Sequence, residues 1–490
     1  MKEAESLLKN IKRYTASNIF QRACGIINTF IKPKLLSPEL YGLWNLLSIV
    51  ITYASNVHLG SRNALFYLLP YHLSRNETND VNNVKSSAFY GSLYLTLIIT
   101  AGLFVYSFWG NLNKIQQSGL ISVGIIIILN CVFDYHYNEI SGYKNFKLIS
   151  YVNYKRAIVS VVLNFILIYF FGIYGIYLST LFTVLIMVVY MYRESPIILK
   201  EPFKIDVYYA LTKKGLPILI YNVSNDLIST VDKIIIAYFL GTKELGHYAI
   251  TGLVFNFLMQ IPGDARDVIE ISLMENLTTG NREETLNKYF FQPLYYTSHI
   301  MPFIIGPAFF LIKPFIELLL PKYINGIAPT QIVTIGCYFY ALAFVARGMV
   351  ISNNKQFSAA IVITAVLLFN ACAAVFFILK GYGTVGVAFG SSFSFFILFI
   401  SLFIFVQRFN REISLLLWVK KTKDIFIIFF VMGCVVAALV FATSNLTVNK
   451  HIGALLSTVV FCLIMYAVSA YLNPGFLHFR LKKIFKLKKG

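Results

Sequence analysis

Charge is scarce in this 490-residue chain: Asp, Glu, Lys and Arg together make up 13%, about half the share of an ordinary globular domain. A soluble fold of this size cannot cover its surface with so few charges, and 57% of the residues are apolar, with a mean hydropathy of +0.68. Alternating ten-residue strands are missing too, which argues against an outer-membrane β-barrel. No loop is long enough to carry a catalytic domain. No Walker A loop, GxGxxG turn, HExxH pair or well-placed Ser-His-Asp set occurs, so neither direct ATP use nor enzyme activity is expected. The six cysteines, Cys24, Cys131, Cys337, Cys372, Cys434 and Cys462, are scattered inside apolar runs without any C-x-x-C. That spacing suggests neither a disulfide framework nor a zinc site. No cleavable leader is expected, because Met1 to Tyr14 is charged and weakly amphipathic.

Long apolar runs are what the chain does have. They predict an all-α polytopic membrane protein, with about 14 spans near 14–31, 41–60, 87–109, 118–138, 155–171, 173–192, 215–240, 247–262, 292–312, 329–350, 358–379, 383–406, 425–442 and 453–472. Acidic residues number 22 against 42 basic ones, a net charge of +20. In a soluble protein that balance would point to nucleic acid. Here the basic residues sit mainly in loops: with the N-terminus inside, about 30 fall on the cytoplasmic side and about 8 on the other. This bias is the orientation signal of a membrane protein with both termini cytoplasmic. The tail from Arg480 to Lys489 is expected to rest on anionic membrane lipids.

The chain also resembles itself. At an offset of 204, Asn18 meets Asn222, Gln21 meets Asn225, Arg22 meets Asp226, Asn28 meets Asp232, Gly42 meets Gly246, Trp44 meets Tyr248 and Arg62 meets Arg266. At an offset of 211, Ile140-Ser141-x-x-Lys144-x-Phe146 meets Ile351-Ser352-x-x-Lys355-x-Phe357, Gly172-x-x-Gly175 meets Gly383-x-x-Gly386, and His136 meets Arg347. Ordered matches of this kind predict two homologous six-helix bundles. An even number of spans per copy relates them by a pseudo-twofold axis along the membrane normal, around a central cavity. The expected organisation is 1–192 as the N-terminal bundle, 193–214 as a basic cytoplasmic linker, 215–406 as the C-terminal bundle, and 407–490 as two extra helices with a basic tail.

The first span of each half is the most polar. Asn18, Gln21, Arg22, Gly25, Asn28 and Thr29 recur in steps of three and four, as do Asn222, Asn225, Asp226, Ser229, Asp232 and Lys233. Each set therefore shares one helical face. A charge at the bilayer centre is costly, so these faces should meet each other or line a wet cavity. Arg22 is read as a contact for a diphosphate, which guanidinium grips with paired hydrogen bonds, or as a salt bridge to Asp226 or Asp232. Arg347 and His136 are candidates for the same anionic group, with snorkelling as the structural alternative. Asn18 and Asn222 complete the candidate substrate contacts. Asp226, Asp232 and Lys233 are candidate coupling or cavity charges, or a simple intrahelical pair. Asp134 is read as capping or pairing, Arg62 and Arg266 as interfacial positioning, and Asp264, Asp267 and Glu270 as a solvated face.

Leu36-Ser37-Pro38-Glu39-Leu40-Tyr41-Gly42-Leu43-Trp44, the span-7 segment from Asp232-Lys233 to Leu245-Gly246-His247-Tyr248, and the two glycine turns resemble the O-antigen and capsule repeat-unit flippases. These belong to the multidrug/oligosaccharidyl-lipid/polysaccharide exporter superfamily, and the resemblance covers nearly the whole chain. It implies an alternating-access transporter whose cargo is a polyprenyl-diphosphate-linked oligosaccharide, working beside a polysaccharide polymerase and other assembly proteins. It also implies a cationic cavity, onto which Arg22 and Arg347 would map. Asp226 and Asp232 depart from that pattern. No cofactor is expected beyond an H+ or Na+ gradient. The competing reading is an ion-coupled multidrug antiporter of the same superfamily.

Overall fold

The computed structural model describes residues 2–276, 286–353, 355–408, 415–445 and 450–472. Among these every regular element is helical. Two compact units divide the chain, Met1–Gly246 and His247–Gly490. Among the described residues, ten helices are long and apolar enough to cross a membrane by length and composition.

In the first unit α1 runs Lys2–Leu35, α2 Pro38–Ala54, α3 Ser61–Ser74, α4 Thr78–Trp109, α5 Lys114–Gly142, α6 Phe146–Phe171, α7 Ile173–Glu194, α8 Ile205–Ile228 and α9 Val231–Phe239. The start of α2 is legible in the chain: Ser37 caps it by accepting the Leu40 N–H, and Pro38 opens the first turn where no N–H is needed. Asn113 and Gln116 form a reciprocal capping box on α5. Gly172 ends α6 at a φ of +56° and Gly383 takes +55° at its repeat-related turn. Residues with a Cβ rarely adopt that conformation, which accounts for glycine at both turns.

Three features differ from the expected spans. The region 61–86, read as loop, contains α3 and the first turns of α4. The span at 215–240 is broken at Ser229 and Thr230 into α8 and α9. The span at 247–262 belongs to α10, Gly241–Asn276. With α1 and α2, the helices α3, α8, α9 and α10 lie outside the ten apolar helices: α2, α3 and α9 are short, at 17, 14 and 9 residues, and polar residues dilute the hydropathy of α1, α8 and α10.

The second unit continues with α11 (Gln292–Ile300) after a π-helical turn, α12 (Pro302–Leu319), α13 (Ile327–Ser352), α14 (Gln356–Leu379), α15 (Gly383–Arg408), α16 (Leu415–Asn445) and α17 (Lys450–Leu472). Helix α13 is its axis: most of its apolar window is buried. Tyr338 on α13 donates its hydroxyl to the Ile425 carbonyl at 2.8 Å. Trp418 is fully buried against Phe290, Phe291 and Phe403. The side chains of Asp264, Arg266, Asp267 and Glu270, and the tail from 473 onward, lie outside the described residues.

Candidate functional site

The polar residues of α1 turn toward α6. Asn153 Nδ2 donates to Asn18 Oδ1 at 2.9 Å, Asn28 Nδ2 donates to Ser160 Oγ at 2.8 Å, and Asn164 Nδ2 donates to Asn28 Oδ1 at 3.1 Å. Ser179 of α7 closes the chain on Asn164 Oδ1 at 2.7 Å. Such bonds join helices where the surroundings offer no water. Much of the polar face is therefore used in packing.

Next to this seam, inside the first unit, lies a cavity of roughly 460 Å³. Its wall takes Gln21 from α1, Asn56 and His58 from the turn after α2, Arg62 and Asn63 from α3, Asn130, Asp134 and Asn138 from α5, and Asn153 and Arg156 from α6. The exposed lining is mostly polar, in a unit whose long helices are apolar. The α5 residues lie at steps of four, one stripe on one helix face.

Arg62 is the anchor. Its side chain is only 3% exposed. Nη1 donates to Asp134 Oδ2 at 3.1 Å and Nη2 to the Ser55 carbonyl at 2.6 Å, while buried Nε has no hydrogen-bond partner among the described residues. Asp134 is 39% exposed, so this carboxylate faces the cavity while the guanidinium is held behind it. Arg156 rests over the Phe133 ring at 4.6 Å and lies within Coulomb reach of Asp134. The Gly60 N–H donates to His58 Nδ1 at 3.0 Å, so a neutral His58 carries its proton on Nε2. Two guanidinium groups, one carboxylate and six side-chain amides make a lining of net charge +1 with neutral His58. Amides donate and accept together, as sugar hydroxyls require, and guanidinium pairs with phosphate.

The residues expected from the sequence are distributed differently. Asn18 reaches the cavity wall through Asn153. Arg22 is exposed on α1, and Asn222 and Asp226 are exposed on α8. Asp232 is buried in the first turn of α9, where it accepts the Lys233 backbone N–H at 2.8 Å; Lys233 Nζ donates to the Ser229 carbonyl at 3.0 Å. His136 is buried and donates from Nε2 to the Ser195 carbonyl at 2.6 Å, tying α5 to the segment after α7. Arg347, in the second unit, is 3% exposed, with its guanidinium over Tyr340 and Phe344 at 4.7 and 4.9 Å. Its Nε and Nη2 are buried without hydrogen-bond partners among the described residues. The pairing reading of Asp134 is the geometry seen. Arg156 and the amides Asn130, Asn138 and Asn153 went unmarked in the sequence. Their signal was the four-residue step on α5 and the three-residue step from Asn153 to Arg156 on α6. Among the described residues one cluster has metal-ligand spacing, His72, Glu77 and Asp80. It sits at the α3–α4 turn, where the 2.6 Å contact of His72 with Glu77 closes the loop.

This arrangement of helices is shared with solved membrane proteins. It matches the lipid II flippase MurJ in an inward closed conformation at a TM-score of 0.74 and 16% identity, over 95% of this chain and 99% of that one. It matches an inward-facing multidrug resistance MATE family transporter of the MOP superfamily at 0.66 and 13%, over 79% and 94%. A MOP superfamily transporter from Pyrococcus furiosus, with a binding pocket of reverse polarity, matches at 0.55 and 13%, over 82% and 95%. Residues 33–268, just under half of the chain, match the family described as polysaccharide biosynthesis protein. No curated protein matches in sequence. The exporter resemblance drawn from the motifs thus agrees with both the fold and this family match.

Proposed function

We propose that this protein flips polyprenyl-diphosphate-linked oligosaccharide repeat units across the bacterial cytoplasmic membrane by alternating access, supplying O-antigen, capsule or exopolysaccharide assembly. The observation that carries this reading is the cavity itself: six amides and two guanidinium groups gathered within a unit of apolar helices. The amides suit the sugar, the guanidinium groups suit the diphosphate, and the apolar outer helix faces leave the polyprenyl chain in lipid. The flippase-like fold and the polysaccharide biosynthesis family match support the same direction. The chain is placed with both termini in the cytoplasm on the loop-charge bias. It is placed beside a polymerase because flipped units must be joined. A gradient of H+ or Na+ acting at Asp226 or Asp232 is the energy source assigned to the step.

A drug antiporter would need a cavity that attracts cations. Here the one carboxylate in the wall is already neutralised by Arg62. The deciding experiment is mass spectrometry of lipid-linked glycans in the native host lacking this protein, with staining of surface polymer. The expected result is single repeat units accumulating on the polyprenyl carrier, polymer lost from the surface, and both reversed by the intact gene but not by Arg62→Gln or Arg156→Gln. Unchanged lipid-linked pools with normal polymer would reject the flippase reading, and new drug sensitivity would then select the antiporter.

A further inference from the structure

The way Arg62 is held has a consequence for ligand entry. On the protein side it meets the Ser55 carbonyl at 2.6 Å, which accepts a hydrogen bond but carries no charge. Its only neutralising contact among the described residues is Asp134 at 3.1 Å, and that carboxylate is the more exposed partner, 39% against 3%. Arg156, across the same cavity, is within Coulomb reach of the same carboxylate. One partly exposed acid therefore serves two cations from the place an anionic ligand would take. The Asp134 backbone carbonyl accepts Asn138 Nδ2 at 2.8 Å, so that amide is held on the helix backbone beside the carboxylate.

We infer that Asp134 is the cavity's internal counter-ion: it occupies the anion position on Arg62 when no cargo is bound, must be displaced by the cargo's diphosphate, and returns to expel it. This rests on the flippase reading and adds a selectivity device to it. A carboxylate already on Arg62 imposes a fixed displacement cost on every entering anion. Inorganic phosphate, present in the cell at high concentration, is thereby kept out. A diphosphate that also reaches Arg156 and is helped by sugar contacts to the amides still binds. The same competition prevents the cargo from staying bound after the cavity opens to the far side, since transport needs weak enough binding for release.

A scaffold role and a counter-ion role predict opposite signs. If Asp134 merely positions Arg62, removing its charge loosens the guanidinium and weakens anion binding. If it is a competitor, removing its charge strengthens binding. The test is titration of inorganic pyrophosphate, and separately phosphate, onto the purified full chain in phosphatidylcholine nanodiscs, which contribute no anionic headgroup. The expected result is that Asp134→Asn binds both about tenfold more tightly than wild type, while its export of polymer in the host falls. Asp134→Glu, which keeps the charge, should retain wild-type affinity. Should the Asn variant fail to fold, Asp134→Ser removes the same charge in a smaller volume. Binding by wild type that weakens or stays unchanged in the charge-removing variant would overturn the counter-ion role and leave the anion-cavity reading standing. No binding of either anion by any variant would overturn both.

Discussion

A buried guanidinium with two donors unsatisfied among the described residues is the most exacting single group in this protein. Arginine stays protonated in proteins, so burial cannot be relieved by losing the charge. At Arg347 the rings of Tyr340 and Phe344 offset part of the cost through cation–π attraction, about 0.5–2 kcal/mol each. They supply no acceptor. The two orphaned donors, Nε and Nη2, are the pair that share one edge of the fork, the edge that grips carboxylate or phosphate with two parallel bonds. Leaving such groups unpaired costs about 1–3 kcal/mol apiece. A methionine of similar length would fill the volume without that cost. Arg347→Met is therefore expected to raise the thermal midpoint of the purified protein while abolishing polymer export. A lowered midpoint would mean that the guanidinium is a structural support whose removal costs more than its burial, and export measured in the same strain separates the two roles.

At the scale of elements, α4 and α5 are joined by a pair that nothing in the residue pattern marks. Lys85 and Glu139 meet at 2.6 Å, both side chains under 10% exposed, with Lys85 Nζ also 3.4 Å from the Tyr143 hydroxyl and Tyr135 donating to the Lys85 carbonyl. Breaking a buried pair from one side leaves a stranded charge and costs about 3–5 kcal/mol, whereas replacing both partners by apolar groups is often neutral. Glu139→Ala should thus lower folded yield and thermal stability sharply, and Lys85→Met with Glu139→Leu should restore them. Double-mutant coupling near zero would show that the pair carries no energy of its own. This pair also marks where sequence reading stops. Long apolar runs announce their helices, because hydropathy summed over twenty residues is a strong signal. Caps such as Ser37-Pro38 announce their ends. Which polar residues face one another depends on helix rotation and on partners far away in the chain. Asn18 and Asn28 were correctly placed on one face, but that face meets α6 rather than standing open. Arg62 looked interfacial because it follows an apolar run, yet α3 continues through it and points it at Asp134. Arg156 went unmarked because the expected span began at 155, although α6 begins ten residues before Arg156.

For the whole molecule, the internal repeat has a physical signature at one contact. A Cβ on Gly42 would lie 1.8 Å from the Thr242 carbonyl oxygen, and a Cβ on Gly246 would lie 1.8 Å from the Pro38 carbonyl oxygen. Gly42 and Gly246 are repeat partners at the offset of 204, and so are Pro38 and Thr242. The two contacts are therefore one contact and its image, the reciprocity that an isologous twofold interface produces. Both involve backbone atoms, which cannot rotate away as a side chain tip can, so the approach depends on hydrogen at both positions. Under the alternating-access proposal this backbone contact is made and released in each cycle. Gly42→Ala and Gly246→Ala should each block export while leaving the protein inserted in the membrane, and the two should be about equally damaging because the geometry is reciprocal. Accessibility of a cysteine placed at Leu40 to a membrane-impermeant thiol reagent, in a background where the native cysteines are replaced, reports the same contact directly. It should be low in the parent and rise in both alanine variants. Normal export with unchanged accessibility in both would remove this backbone contact from the transport cycle.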